Sequence, residues 1–121
     1  MMLVHFIAMQ GAMLTPLPAE MGPAIEPYSE CVSGAFRKRI IAAEASAKLE
    51  QASGPKLMAE AITDCASERQ DALAASNRAL ASNPKFVEPA FRAKFVEGRF
   101  GFLDDTLVWS VSPEGDPDNW Q

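Results

Sequence analysis

The chain has 121 residues, of which 48% are hydrophobic, and its formal net charge at pH 7 is -5. This length fits one domain with one apolar core. The acidic balance is unlike that of a nucleic-acid-binding protein, so no nucleic-acid partner is expected. The only histidine is His5, and the chain has no glycine-rich phosphate loop. We therefore expect no enzyme activity, no cofactor and no metal site.

Residues 1–24 form an apolar leader without lysine or arginine. Its most apolar part has the length of the central region of a secretory signal and is too short to span a membrane. We expect export to the periplasm, with a mature chain that begins between Glu20 and Ile25. The leader lacks the basic flank of a secretory signal, so two alternatives to a cleaved signal remain. The segment could pack on a cytoplasmic domain, or it could be an uncleaved anchor.

The middle of the chain is rich in residues that lose little conformational entropy in a helix, so an all-α domain is predicted over residues 25–112. Four prolines predict a linker over residues 15–27, because proline lacks the amide hydrogen that a helix needs. A first helix is predicted over residues 29–52. Its apolar stripe consists of Val32, Phe36, Ile40, Ala43 and Ala47.

A second helix is predicted over residues 55–82, because Pro55 suits a first helical turn and Pro84 stops the helix. The two helices are expected to form an antiparallel hairpin that turns at Gly54. The basic cluster at residues 37–39 would then face acidic side chains of the second helix. We expect surface ion pairs there rather than a cation-binding site. The acidic residues are Glu60, Asp64, Glu68 and Asp71.

A third, aromatic-rich helix is predicted from Pro89 through Trp109, with a strand over residues 106–112 as the alternative. It has two apolar sides, about 140° apart. The side expected to face the core consists of Val87, Phe91, Phe95, Gly98, Phe102 and Trp109. The side expected to contact another chain consists of Val96, Phe100, Leu103 and Leu107. The partner would be another protein or a second copy, and a membrane surface is the weaker alternative. The acidic residues 113–121 predict a disordered tail.

The two cysteines, Cys31 and Cys65, are expected either to form a disulfide, as is usual in exported proteins, or to be buried as free thiols. Straight helices that meet at Gly54 would separate the cysteines by about 18 Å along the helix axis. A disulfide needs Cα atoms within about 7 Å. Pairing therefore requires an early end to the first helix, a long loop within residues 43–54, or a fold-back around Cys31.

The pattern Tyr28-x-x-Cys31 followed by Cys65-x-x-x-Arg69, after an apolar leader, resembles small exported bacterial proteins of unknown function that have a helical body. The resemblance covers about residues 28–82. It implies export and a disulfide, and it implies no activity.

These features predict a non-catalytic exported interaction module that binds through its third helix. A cytoplasmic helical regulator or adaptor that keeps its N-terminal apolar segment is the alternative, and an enzyme is the third choice. No catalytic residue, cofactor-binding residue or metal ligand is assigned from the sequence.

Overall fold

The computed structural model describes residues 16–46 and 53–113. All regular structure in these two ranges is helical, so the all-α class is confirmed. None of these helices combines the length and apolar character needed to cross a membrane. Most of the leader and all but the first residue of the tail lie outside the described residues. The elements are α1 (Met21–Ala45), α2 (Gly54–Asp64), α3 (Ala66–Leu80), a 3-10 helix (Pro84–Phe86) and α4 (Pro89–Ser110).

The first helix begins at Met21, so the prediction of a linker over residues 15–27 is wrong from that residue onward. Pro23 lies in the first turn, where a missing amide hydrogen costs little. Pro27 lies inside the helix and leaves the carbonyl of Pro23 without its helical hydrogen bond. Tertiary packing offsets this loss, because Met21 and Tyr28 are both completely buried in the core.

The end of α1 also differs from the prediction. The helix ends at Ala45 rather than at residue 52, and residues 47–52 lie outside the described ranges. The next helix begins at Gly54, as local capping suggests, because the hydroxyl of Ser53 accepts a hydrogen bond from the amide of Lys56 at 3.1 Å. A Cβ at Gly54 would lie 2.5 Å from the carbonyl oxygen of Val111, so glycine is needed for the start of α2 to approach the end of α4.

The predicted second helix is divided in two at Cys65. This residue is both the C-cap of α2 and the N-cap of α3, with φ -104° and ψ 26°. Its amide donates to the carbonyl of Ile62, while its carbonyl accepts from the amide of Arg69. The sequence around Cys65 contains neither glycine nor proline, so no local signal predicts this break.

The last helix, α4, includes residues 106–110, so this segment is helical and does not form the alternative strand over residues 106–112. The side chain of Glu88 caps its start by accepting hydrogen bonds from the amides of Ala90 and Phe91 at 3.2 and 2.6 Å. The face of α4 that packs inward is centred on residues that were predicted to contact another chain. Val96 and Phe100 are completely buried within the chain.

The core lies where α4 packs against α2 and α3, which both also pack against α1. The larger side chains that are completely buried in this core include Met21, Tyr28, Val32, Leu80, Val96 and Phe100. Removal of a side chain of this size from water contributes about 1.5–3 kcal/mol to the stability of the fold.

Candidate functional site

A disulfide joins Cys31 of α1 to Cys65, the residue between α2 and α3, with a Cα–Cα distance of 6.0 Å. The early end of α1 makes this pairing possible. Cys31 lies 14 residues before Ala45, and Cys65 lies 11 residues after Gly54, so the axial mismatch falls to about 4.5 Å. The bond closes a loop with a sequence separation of 34 residues, which corresponds to about 3–4 kcal/mol of stabilisation.

A polar network lies beside this disulfide and connects three helices. The hydroxyl of Tyr28 donates to one carboxylate oxygen of Asp104 at 2.5 Å, and Arg69 Nε donates to the other at 2.9 Å. Tyr28 lies one turn before Cys31, and Arg69 lies one turn after Cys65. The four residues of the two-cysteine pattern thus lie close together, with Asp104 of α4 as the added partner.

The ring of Phe100 completes this network on its apolar side. Its centroid lies 5.9 Å from that of Tyr28, and the guanidinium carbon of Arg69 lies 5.7 Å from the same centroid. Burial raises the pKa of Tyr28 well above its usual range, and the hydrogen bond and charge of Asp104 raise it further. The phenol therefore remains a protonated donor at neutral pH, and the network holds α1, α3 and α4 together.

An open groove of about 560 Å³ runs along the disulfide between α1 and the end of α2. Arg39 lies at its edge and pairs with Asp64 at 2.7 Å and with Glu60 at 2.6 Å. Surface ion pairs were expected between the basic cluster and the acidic row. Because α1 ends early, Arg39 pairs with Glu60 and Asp64 rather than with Glu68 further along the row. The hydrogen bond to Arg39 lowers the pKa of Asp64. The groove is lined by Glu30, Cys31, Gly34, Ala35, Lys38, Arg39, Ala42, Asp64 and Cys65.

Glu68 also lies next to the disulfide. Its carboxylate and the sulfur atoms of Cys31 and Cys65 all lie within 4.8 Å of one another. Sequence reasoning missed this group, because the two cysteines are 34 residues apart and lack a metal-binding spacing. The spacing of Cys65 and Glu68, three residues apart at a helix start, is the only local signal.

A second candidate site, called the outer face of α4, consists of Phe91, Gly98 and Trp109, together with Val87, which lies just before the helix. Val87, Phe91 and Trp109 have exposed fractions of 63%, 53% and 46%. The ring centroid of Phe91 lies 5.9 Å from that of the buried Phe86, so the exposed ring continues the apolar core to the surface.

The predicted partner-binding side of α4 lies instead against the core. Val96 and Phe100 are completely buried, and Leu103 and Leu107 are half-buried against the same cluster. The assignment to an interface is therefore corrected for Val96 and Phe100, which the chain's own helices cover completely, whereas Leu103 and Leu107 are only partly covered. Of the side predicted to face the core, Phe95 does pack against the buried cluster, with its ring centroid 4.7 Å from that of Phe86, whereas Val87, Phe91 and Trp109 are exposed.

Two surface features remain as candidates for function, namely the groove beside the disulfide and the outer face of α4. The first combines sulfur and carboxylate groups, and the second is mainly apolar. No protein-family model matches this sequence, and no curated protein or solved structure is detectably similar to it.

Proposed function

We propose that this protein is a non-catalytic, exported helical interaction module that self-associates through the outer face of α4. In this proposal α1 forms an antiparallel hairpin with α2 and α3, and the hairpin carries α4 as the aromatic-rich binding helix. The exposure of Phe91 carries the proposal, since an aromatic ring that is 53% exposed lies directly on the buried Phe86. An exposed aromatic ring that continues the apolar core to the surface is a feature of interaction sites.

The outer face extends along the whole helix. Within the helix, the axial distance from Phe91 to Trp109 is about 27 Å. A surface of this length suits the side of another helix better than a small ligand, because ligand sites are concave. The occupant that the proposal names is α4 of a second copy.

Gly98 lies between Phe91 and Trp109 along α4 and supports a twofold contact between two copies of this helix. A Cβ at Gly98 would have no atom within 4 Å, so two helices can approach closely there.

The disulfide supports the exported part of the proposal, because such bonds persist mainly in oxidising compartments. Within the expected cleavage window, the packing favours a cut ahead of Glu20. Glu20 accepts a hydrogen bond from Asn83 at 2.9 Å, and Met21 is completely buried. A cut after Ala24 would remove both contacts and destabilise the start of α1.

Self-association is tested by sedimentation velocity on the full chain over a range of concentrations. We expect a dimer whose dissociation constant rises at least 100-fold in Phe91→Asp, because that change places a charge in a desolvated contact. Ile41→Asp is the matched control, since Ile41 is an apolar side chain of similar exposure, 57%, on a different helix, α1. Circular dichroism should show unchanged helix content in both variants.

Two outcomes would overturn the self-association proposal. The first is a wild-type protein that remains monomeric at millimolar concentration. The second is an equal loss of association in Ile41→Asp and Phe91→Asp, which would indicate non-specific apolar contact. Co-sedimentation of monomeric wild-type protein with anionic vesicles, lost in Phe91→Asp, would assign the outer face to a membrane surface instead.

A further inference from the structure

The group formed by Cys31, Cys65 and Glu68 has the chemistry of a metal site once the sulfur atoms are free. We propose that reduction of the disulfide converts these three residues into the ligands of one Zn²⁺ ion per chain. This inference is independent of the proposed self-association, because the group lies beside the groove and not on the outer face of α4.

The three ligand atoms are already close enough for one ion. They lie within 4.8 Å of one another, and tetrahedral zinc with bonds of about 2.0–2.3 Å spaces its ligands by about 3.3–3.8 Å. Breaking the S–S bond lets the sulfurs separate to this spacing by side-chain rotation, since the Cα atoms are 6.0 Å apart. The 4.8 Å limit exceeds this spacing by about 1 Å, which a small movement of the Glu68 side chain would have to close.

The scaffold around the group does not depend on the disulfide alone. Tyr28, one turn before Cys31, and Arg69, one turn after Cys65, are both hydrogen-bonded to Asp104. This network holds α1 against α3 through contacts that reduction does not break. The cysteines therefore stay opposite each other when they are reduced.

The groove supplies the entry path and the remaining ligand. It borders both cysteines, and Cys31 is half-buried rather than enclosed. Three protein ligands with one open position filled by water is a common zinc arrangement. Two thiolates favour Zn²⁺ over Mg²⁺, which prefers oxygen ligands in octahedral geometry.

The redox step balances with a dithiol as the co-reactant. The dithiol gives two electrons and two protons to the disulfide, the bond between the Cys31 and Cys65 sulfurs breaks, and the reductant closes to its own disulfide. Zinc binding then releases the two thiol protons to solvent, and Glu68 adds its carboxylate. Reoxidation of the cysteines would expel the ion, so the redox state of the chain would control metal binding.

The test compares oxidised and reduced full-length protein under anaerobic conditions, with Co²⁺ as a spectroscopic probe and Zn²⁺ as its competitor. Reduced wild-type protein should bind one Co²⁺ with thiolate charge-transfer absorption that one equivalent of Zn²⁺ abolishes, and Mg²⁺ should not compete. Oxidised protein should show no such absorption. Glu68→Gln should weaken Zn²⁺ binding at least tenfold. Asp71→Asn is the matched control, because Asp71 is an exposed acid three residues further along α3.

The proposal is overturned if reduced and oxidised protein bind Zn²⁺ equally, or if Glu68→Gln binds as tightly as Asp71→Asn. Circular dichroism shows whether reduction unfolds the chain. If it does, zinc should restore the helical signal of the reduced wild type at concentrations that leave reduced Glu68→Gln unfolded. A reduced chain that zinc does not refold also refutes the site.

Discussion

Replacement of Phe100 by alanine tests which side of α4 faces the core. Phe100 is completely buried, and its ring contacts both the ring of Tyr28 and the guanidinium of Arg69. The sequence alone had assigned this residue to an exposed interface and Phe91 to the core. If Phe100 faces the core, Phe100→Ala should destabilise the protein more than Phe91→Ala. If Phe91 faces the core, the order should be reversed.

The magnitude follows from the burial of each ring. Removing a buried phenylalanine costs about 3–5 kcal/mol, and the lost contact with a second ring places Phe100 near the upper part of that range. Domains of this size are stable by about 5–15 kcal/mol, so Phe100→Ala should leave a marginally stable protein. Phe91 is 53% exposed, and its replacement should cost about 1 kcal/mol or less.

The assay is urea unfolding followed by circular dichroism, with the disulfide intact and the protein dilute enough to be monomeric. Dilution matters because self-association would add a concentration-dependent contribution to stability. Phe100→Ala should lower the midpoint far more than Phe91→Ala. The opposite order would refute the orientation of α4 described above and restore the one expected from the sequence.

Three further predictions concern the polar contacts. Tyr28 is the only tyrosine, so phenolate absorption reports it alone. Because its folded-state pKa is raised, Tyr28 contributes stability that is fully present below about pH 10 and is lost as the pH rises above it, and the phenolate should form only as the chain unfolds. A titration near pH 10 with the helices intact would contradict the buried contact. Asp104→Ala should cost about 3 kcal/mol in urea melts, since it leaves Tyr28 and Arg69 without their shared acceptor. Arg39→Ala should barely move the midpoint, because its ion pairs are exposed, and an equal effect of the two changes would mean that the network beside the disulfide is not buried.

Some features could be predicted from the sequence because their causes are local. The all-α class follows from composition and apolar periodicity, and helix starts at Gly54 and Pro89 follow from a serine cap and an early proline. The surface pairing of Arg39 with acidic residues of the next helix also follows from charge pattern. Each of these depends on residues that are neighbours in the chain or on one helix face.

Other features depend on contacts between distant parts of the chain. Burial of Met21 and Tyr28 lets α1 run through Pro27, although proline disfavours a helix interior. The break at Cys65 has no sequence signal and becomes visible only where that residue meets Cys31. Local propensity decides neither feature, because packing free energy outweighs it at both positions.

The orientation of α4 shows the same division between local pattern and tertiary contact. Its sequence specifies a helix with two apolar sides, and periodicity alone assigns no preference between them. The tertiary structure decides between them through Asp104, which lies on the side of Phe100 and meets Tyr28 and Arg69 from two other helices. Turning Phe91 inward would expose the ring of Phe100 and separate Asp104 from both donors. The side with complementary partners on α1 and α3 therefore becomes the core, and Phe91 and Trp109 remain exposed.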